Sequence, residues 1–181
     1  MLFNVSLRYK FDSLIIDLVP FGGVESPGGQ ITWTDDGQVV STVGFDEAHQ
    51  SSRKLTIPNS DREIKIAKLA GLYLMKCISW NDRPNERSRD VFDMNSILNK
   101  YIEAGQMHRI YEQDQDLLEI PTFTLEKASA ALLGRDLKKL CKQKSFIEEK
   151  KILQREINLS NKSLFIQQLS SFFQAIFNFM A

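Results

Sequence analysis

The segment KLAGLYLMKCISW, residues 68–80, decides the fold because its apolar side chains recur on nearly every side of a helix. A helix that is apolar all round is typical of the centre of a domain and not of its surface. Lys76 is the charged exception within this segment. Burying an unpaired ammonium group is costly, so we expect Lys76 to reach solvent, a carboxylate or a phosphate.

The chain before this segment has the pattern of β-strands. Alternating or β-branched runs predict strands, and the last two runs flank a turn at Pro58–Asp61 and should pair. The predicted strands span residues 3–11, 13–21, 30–33, 39–43, 53–59 and 62–68, with one or two helical turns at residues 44–52.

The chain after the central segment has the pattern of helices. The helix predicted for residues 88–105 has Ser88 as its N-cap and Gly105 at its end. Further helices are predicted for residues 124–141, 145–158 and 163–180, of which the second is charged and should be mostly exposed. The order of strands followed by helices predicts an α+β fold, with a β-rich unit at residues 1–67 and a helical domain at residues 68–181.

Composition excludes several classes of function. The 181 residues carry no net charge, so no global field attracts nucleic acid, although a local basic patch is not excluded. Cys77 and Cys141 lie far apart in helical patterns and should be buried free thiols, which fits a reducing, cytoplasmic setting. Glutamines and serines interrupt the apolar residues of 163–180, so we expect no membrane span. A docked amphipathic helix is favoured there over an interfacial membrane helix.

Most sequence motifs of enzymes are absent. The chain has no phosphate-binding GxxxxGK[ST] loop, no HExxH and no GxSxG, and His49 and His108 have no metal-ligand spacing around them. Asp17 stands out at the end of the β-branched run LIIDLV, directly before PFGG. Its carboxylate is interpreted either as a metal ligand at a strand end or as a satisfied buried acid.

A second group of charged residues surrounds the predicted helix–loop–helix after Lys76. Asp90 and Asp93 are three residues apart and share one helix face, where they could serve a site or offset the helix dipole. The group consists of Lys76, Arg83, Arg87, Arg89, Asp90 and Asp93.

The order and spacing of these blocks resemble bacterial predicted nucleotidyltransferases of the polymerase-beta-like superfamily, similar to AbiE-type abortive-infection toxins. The resemblance covers about residues 6–140 and is carried by four blocks. They are LRYKFDSLIIDLVPFGGVE (7–25), ITW followed by VGFDEA (31–48), KLAGLYLMKCISWNDRPNERSRDVFDMNSIL (68–98) and ASAALLGRDL (128–137). It implies part of a mixed nucleotidyltransferase β-sheet followed by a C-terminal helical bundle.

The resemblance also implies an activity, which is transfer of a nucleotide from an NTP to a hydroxyl of an RNA or protein acceptor, in toxin-like members within a toxin–antitoxin pair. In such folds three carboxylates hold two Mg²⁺ ions and a Gly-Ser turn grips the triphosphate. Asp17 matches the third carboxylate, as a catalytic residue and metal ligand. The residues matching the nucleotide-binding block are Lys76, Arg83, Arg87, Arg89, Asp90 and Asp93.

The chain departs from this pattern at its start. Residues 1–16 hold no Gly-Ser turn and no Asp-x-Asp pair. One carboxylate cannot organise two Mg²⁺ ions, so we expect metal binding and activity only with the missing N-terminal part. The chain is interpreted as the product of a truncated gene, as a sequence with a wrongly chosen start, or as a fragment that pairs with a separate N-terminal fragment. The alternative is a non-catalytic remnant or interaction module of the same fold. In either case an uncovered sheet edge should favour self-association.

Overall fold

The computed structural model describes residues 8–32, 37, 39–119 and 123–159. Within them the chain forms six α-helices and three small antiparallel sheets, which confirms the α+β class. No helix among these residues is long and apolar enough to cross a membrane. The helix predicted for residues 163–180 lies outside the described residues.

The strands form three separate hairpins, each made by two neighbours in the chain. The pairs are β1 (Arg8–Phe11) with β2 (Leu14–Asp17), β3 (Gln30–Thr32) with β4 (Val39–Ser41), and β5 (Arg53–Thr56) with β6 (Glu63–Ile66). The predicted pairing of the last two strands is confirmed. The described strands do not join into the one mixed sheet that the resemblance implied. Short connections favour antiparallel neighbours, whereas parallel pairing needs a longer crossover.

One face of the β1–β2 hairpin is apolar and open to solvent. Residues that lie opposite each other in a hairpin point to the same face, and the register pairs Tyr9 with Ile16 and Phe11 with Leu14. These four side chains are between 45% and 68% exposed. Such a face, next to strand edges that no other described strand pairs with, is suited to contact a second copy of the chain.

We therefore expect the purified chain to self-associate, with a sedimentation coefficient that rises with protein concentration. The double variant Leu14→Ser/Ile16→Ser should shift the chain towards monomer, because it removes apolar area from that face. Ile15→Ser alters the opposite face and is the control, which should leave association unchanged. A wild-type chain that stays monomeric at all concentrations would contradict the expectation.

The helices observed in the centre of the chain agree closely with those predicted from the sequence, and the other helices agree less closely. They are α1 (Phe45–Gln50), α2 (Leu69–Asp82), α3 (Ser88–Lys100), α4 (Met107–Glu112), α5 (Leu125–Leu140) and α6 (Gln143–Leu159), with a 3₁₀ helix at Gln115–Glu119. Helix α4 and the 3₁₀ helix were not anticipated, because their segments are too short to show a clear period.

Helix α2 lies at the centre of the domain, as its sequence predicts. It packs against α1, α3, α5 and α6 and buries Tyr73, Leu74, Cys77 and Ile78. Gly71 allows α1 to approach closely, since a Cβ atom at this position would lie 3.0 Å from the Cα atom of Ala48.

Two details of the helices differ from the sequence prediction. Helix α3 begins at Ser88, so the N-cap is Arg87 and no side chain caps it. Helix α6 was expected to be mostly exposed, but Ser145, Glu149 and Ile152 are buried on one of its faces. The expectation was wrong for that face because α6 packs against α2. Cys77 is a buried free thiol as predicted, whereas the free thiol Cys141 is only half-buried.

Candidate functional site

A cavity of about 280 Å³ lies where β2, β4, α1, α2 and α3 meet. Apolar side chains form part of its wall, and charged side chains from three separate segments converge on it. The charged lining residues are Asp17, Lys76, Asp82, Arg83, Arg87 and Asp90. The volume is near the lower end of small-molecule cavities, which occupy about 300–1,000 Å³.

Lys76 links the two helices that border the cavity. Its Nζ donates to Asp90 Oδ1 at 3.1 Å and to Asp93 Oδ2 at 2.6 Å. Burial by itself would lower the pKa of Lys76, but the hydrogen bonds to Asp93 and Asp90 outweigh this and raise the pKa above its usual range. The ammonium group is therefore charged and anchors α3 to α2, and of the three expected environments, solvent, a carboxylate or a phosphate, the structure shows carboxylates.

Asp90 is buried and only half satisfied. Its Oδ1 accepts from Lys76, but its Oδ2 has no hydrogen-bond partner among the described residues. The nearest guanidinium nitrogen, Arg87 Nη1, is 3.9 Å from this oxygen. Arg83 is similarly held by Glu86 at 3.5 Å. These separations are longer than charge-assisted hydrogen bonds of about 2.7–2.9 Å, so both guanidinium groups can take up a stronger anionic partner.

Asp17 ends β2 and is exposed. Of its two interpretations, the satisfied buried acid is therefore wrong. The side chain lines the same cavity as Lys76, Arg83 and Arg87, although about sixty residues of chain separate it from them. The structure thus brings together residues that the sequence singled out for separate reasons.

Two of the predicted residues lie away from the cavity lining. Arg89 is exposed and does not line the cavity. Asp93 contacts the site only through Lys76. Both follow from the position of α3, whose buried face is set by Met94, Ile97 and Leu98.

Asp82 and Ser41 were not found by sequence reasoning. Burial raises the pKa of Asp82, and a hydrogen bond from the backbone of Ser41 acts in the opposite direction. Asp82 follows Lys76 and Ser79 at helical spacing on one face of α2, all three lining the cavity. That spacing was the available signal for Asp82. Ser41 had no comparable signal, because it reaches the cavity only through the packing of β4.

The carboxylates do not form a metal centre within the described residues. Asp17, Asp82 and Asp90 all line the cavity, but Asp90 is engaged by Lys76. No group of three or more histidine, cysteine, aspartate or glutamate side chains in the described ranges is placed to hold a metal ion. These residues therefore do not fit the two-Mg²⁺ site that the resemblance implied.

Comparisons of the chain with protein-family models, curated proteins and solved structures found no match.

Proposed function

We propose that the chain is a nucleotidyltransferase-family protein and that the cavity beside α2 binds the phosphates of an NTP. The observation that carries the proposal is the convergence of Asp17, Lys76, Arg83 and Arg87 on one cavity. The transferred nucleotide would go to a hydroxyl group of an RNA or protein acceptor with release of pyrophosphate. Toxin–antitoxin pairing and a separate N-terminal fragment belong to the same proposal, as partners that the family resemblance suggests.

Arg83 and Arg87 are the proposed phosphate ligands. Guanidinium groups present several donors in a planar fork that matches phosphate oxygens. The side chain of Arg87 is 42% exposed and that of Arg83 is 28% exposed, so a ligand can reach both. Each group exchanges a long carboxylate contact for a phosphate contact when an NTP binds.

Lys76 has a positioning role in this proposal. Its ion pairs with Asp90 and Asp93 fix the start of α3 against α2. Arg87 is the N-cap residue of α3 and Arg83 follows the end of α2, so the same ion pairs hold both arginines at the mouth of the cavity.

Asp17 is the proposed catalytic carboxylate and metal ligand. Since the described carboxylates do not fit a metal site, Mg²⁺ would require oxygen ligands besides those that line the cavity. The role proposed for Asp17 is that of a carboxylate that lines the phosphate-binding cavity.

Isothermal titration of the chain with NTPs, with and without Mg²⁺, tests this proposal. Charge-assisted hydrogen bonds contribute about 1.5–3 kcal/mol each, so Arg83→Gln/Arg87→Gln should weaken NTP binding by about 100-fold. Arg89→Gln is the matched control, because Arg89 is close in sequence but exposed and outside the cavity lining. It should leave the affinity within about twofold, as expected for an exposed side chain.

The same titration separates an NTP-binding protein from a remnant or interaction module. Absence of heat from all four NTPs would favour the remnant. Equal loss of affinity in the Arg89 control and in the cavity variant would also contradict the proposed site. Transfer itself is checked by incorporation of labelled nucleotide into RNA or protein by the chain combined with the N-terminal fragment, since the chain alone is expected not to catalyse transfer.

A further inference from the structure

A second and larger cavity, of about 880 Å³, lies at the N-terminal end of α2. Its walls come from the β5–β6 hairpin, the first turn of α2, the turns after α3 and the C-terminal part of α5. No described residue lines both this cavity and the one beside Lys76. The two are therefore separate concave surfaces, and the proposed NTP site does not use the second.

Three exposed cations surround this second cavity. They are Arg53 on β5, Lys68 directly before α2, and Lys139 near the end of α5. None of them forms an ion pair with a described residue. No described residue therefore compensates their charges. Because they lie on three different structural elements, a ligand with more than one anionic group can contact them together.

The acid in this cavity is already neutralised. Asp136 accepts from Arg109 Nη1 at 2.6 Å and Nη2 at 3.0 Å, and from the hydroxyl group of Tyr101 at 2.7 Å. The hydrogen bond to Asp136 is the main cause that raises the pKa of Arg109, so the guanidinium group stays charged. The charges of Asp136 and Arg109 cancel each other in the cavity wall. The charge of the remaining lining residues is positive.

Apolar side chains line the cavity beneath these cations. Ile66, Leu69, Leu72 and Leu140 belong to this lining. Beyond it, the exposed pair Leu55 and Ile64 continues the same face of the hairpin, because pairs two residues apart in register share one side. An apolar floor with cations around it suits a ligand that has phosphate groups on a planar or apolar body.

We propose that this second cavity binds nucleotide units of single-stranded RNA, with the bases on the apolar floor and the phosphates on Arg53, Lys68 and Lys139. RNA and a free nucleotide share the same chemistry, which is a phosphoester on a planar body. A free nucleotide is therefore the alternative ligand. The overall charge of zero does not oppose this, because a local cluster suffices to bind a phosphate chain.

Fluorescence anisotropy with a labelled single-stranded 12-mer RNA tests the proposal on the full chain. Arg53→Gln/Lys139→Gln removes two cations from the cavity. Roughly 0.7 counterions are released per phosphate contact, so the affinity should fall about tenfold or more and the salt slope by about 1.4. This cavity variant and the control variant described next should both unfold at the wild-type temperature, because all the altered side chains are exposed.

The matched control is Lys65→Gln/Lys138→Gln, which removes the same charge from the same hairpin and the same helix. Lys65 lies on the opposite face of the hairpin, and Lys138 precedes Lys139 without lining the cavity. This control should bind the RNA as the wild type does, and so should Arg83→Gln/Arg87→Gln, which separates failure here from failure of the NTP site.

Three outcomes would overturn the proposal. They are absence of saturable RNA binding, equal losses in the cavity and control variants, and binding of nucleoside monophosphates that the RNA does not displace. Displacement of the RNA by a nucleoside monophosphate but not by inorganic phosphate supports it, since the planar body then contributes to binding.

Discussion

Glu149→Gln should make the chain more stable at neutral and alkaline pH and should remove a large part of its pH dependence. Glu149 is completely buried in α6. Its Oε2 accepts from the thiol of Cys141 at 3.4 Å, and its Oε1 has no hydrogen-bond partner in the described part of the chain. Burial raises the pKa of Glu149 to about 8. In the folded wild type, Glu149 is therefore a neutral carboxylic acid below about pH 8 and ionises above it. The glutamine amide of the variant is neutral at every pH.

The sign of the effect follows from the proton balance. A raised pKa means that the folded chain retains a proton which the unfolded chain loses near pH 4.5. The stabilisation is complete below pH 4.5, falls through the window from pH 4.5 to about 8, and is constant above it. The loss is about 1.4 kcal/mol per pH unit, or about 3 kcal/mol between pH 5 and pH 7.

Urea unfolding of both proteins between pH 5 and pH 9 measures this difference. Glu148→Gln is the control, because it makes the same chemical change at the preceding residue, which is not fully buried. Glu149 contributes to the raised pKa of Tyr73 and to the raised pKa of Cys141, which lie in the same buried cluster. These two groups ionise in the unfolded chain only near pH 10 and pH 9, so the comparison below pH 8 measures Glu149 itself. Parallel pH profiles for wild type and Glu149→Gln would contradict the expected result.

Lys76→Met should destabilise the chain by about 3 kcal/mol, the lower part of the range for breaking a buried ion pair. Asp90 is only 8% exposed, and one of its oxygens already lacks a partner within the described ranges. Without the ammonium group, the cation that remains near its carboxylate in that part of the chain is the distant Arg87. Thermal and denaturant unfolding check the value, and Lys100→Met, on an exposed lysine of α3, should change stability by no more than about 0.5 kcal/mol.

The double variant Lys76→Met/Asp90→Asn distinguishes a role of Lys76 in anchoring α3 from direct contact between Lys76 and the NTP. Removing both charges should recover much of the lost stability, because no uncompensated carboxylate remains buried and Asp93, the other partner of Lys76, is 43% exposed. If Lys76 only positions α3, NTP affinity should recover together with stability. Recovery of stability without recovery of NTP affinity would contradict the positioning role and indicate direct contact between Lys76 and phosphate.

The sequence predicts those parts of the fold that rest on local pattern. The apolar residues around α2 required a central position, and the turn at Pro58–Asp61 required β5 and β6 to pair. Helix α4 escaped prediction because six residues show too little of a period. The buried face of α6 was not predicted because glutamate, the residue type of Glu149, usually lies at the surface. Only the neighbours in the fold decide whether such a carboxyl group is buried.

The sequence by itself determined the α+β order, the central helix and the need of Lys76 for solvent or an anionic partner. Each of these follows from the periodicity or the charge of a continuous segment. Only the tertiary structure decided that Asp90 and Asp93 are those partners, that Asp17 lines a cavity with Arg83 and Arg87, and that three cations surround a second cavity. The physical reason is that such groupings depend on how distant segments pack, since hydrophobic burial specifies which face is covered but not which charged residues become neighbours across it.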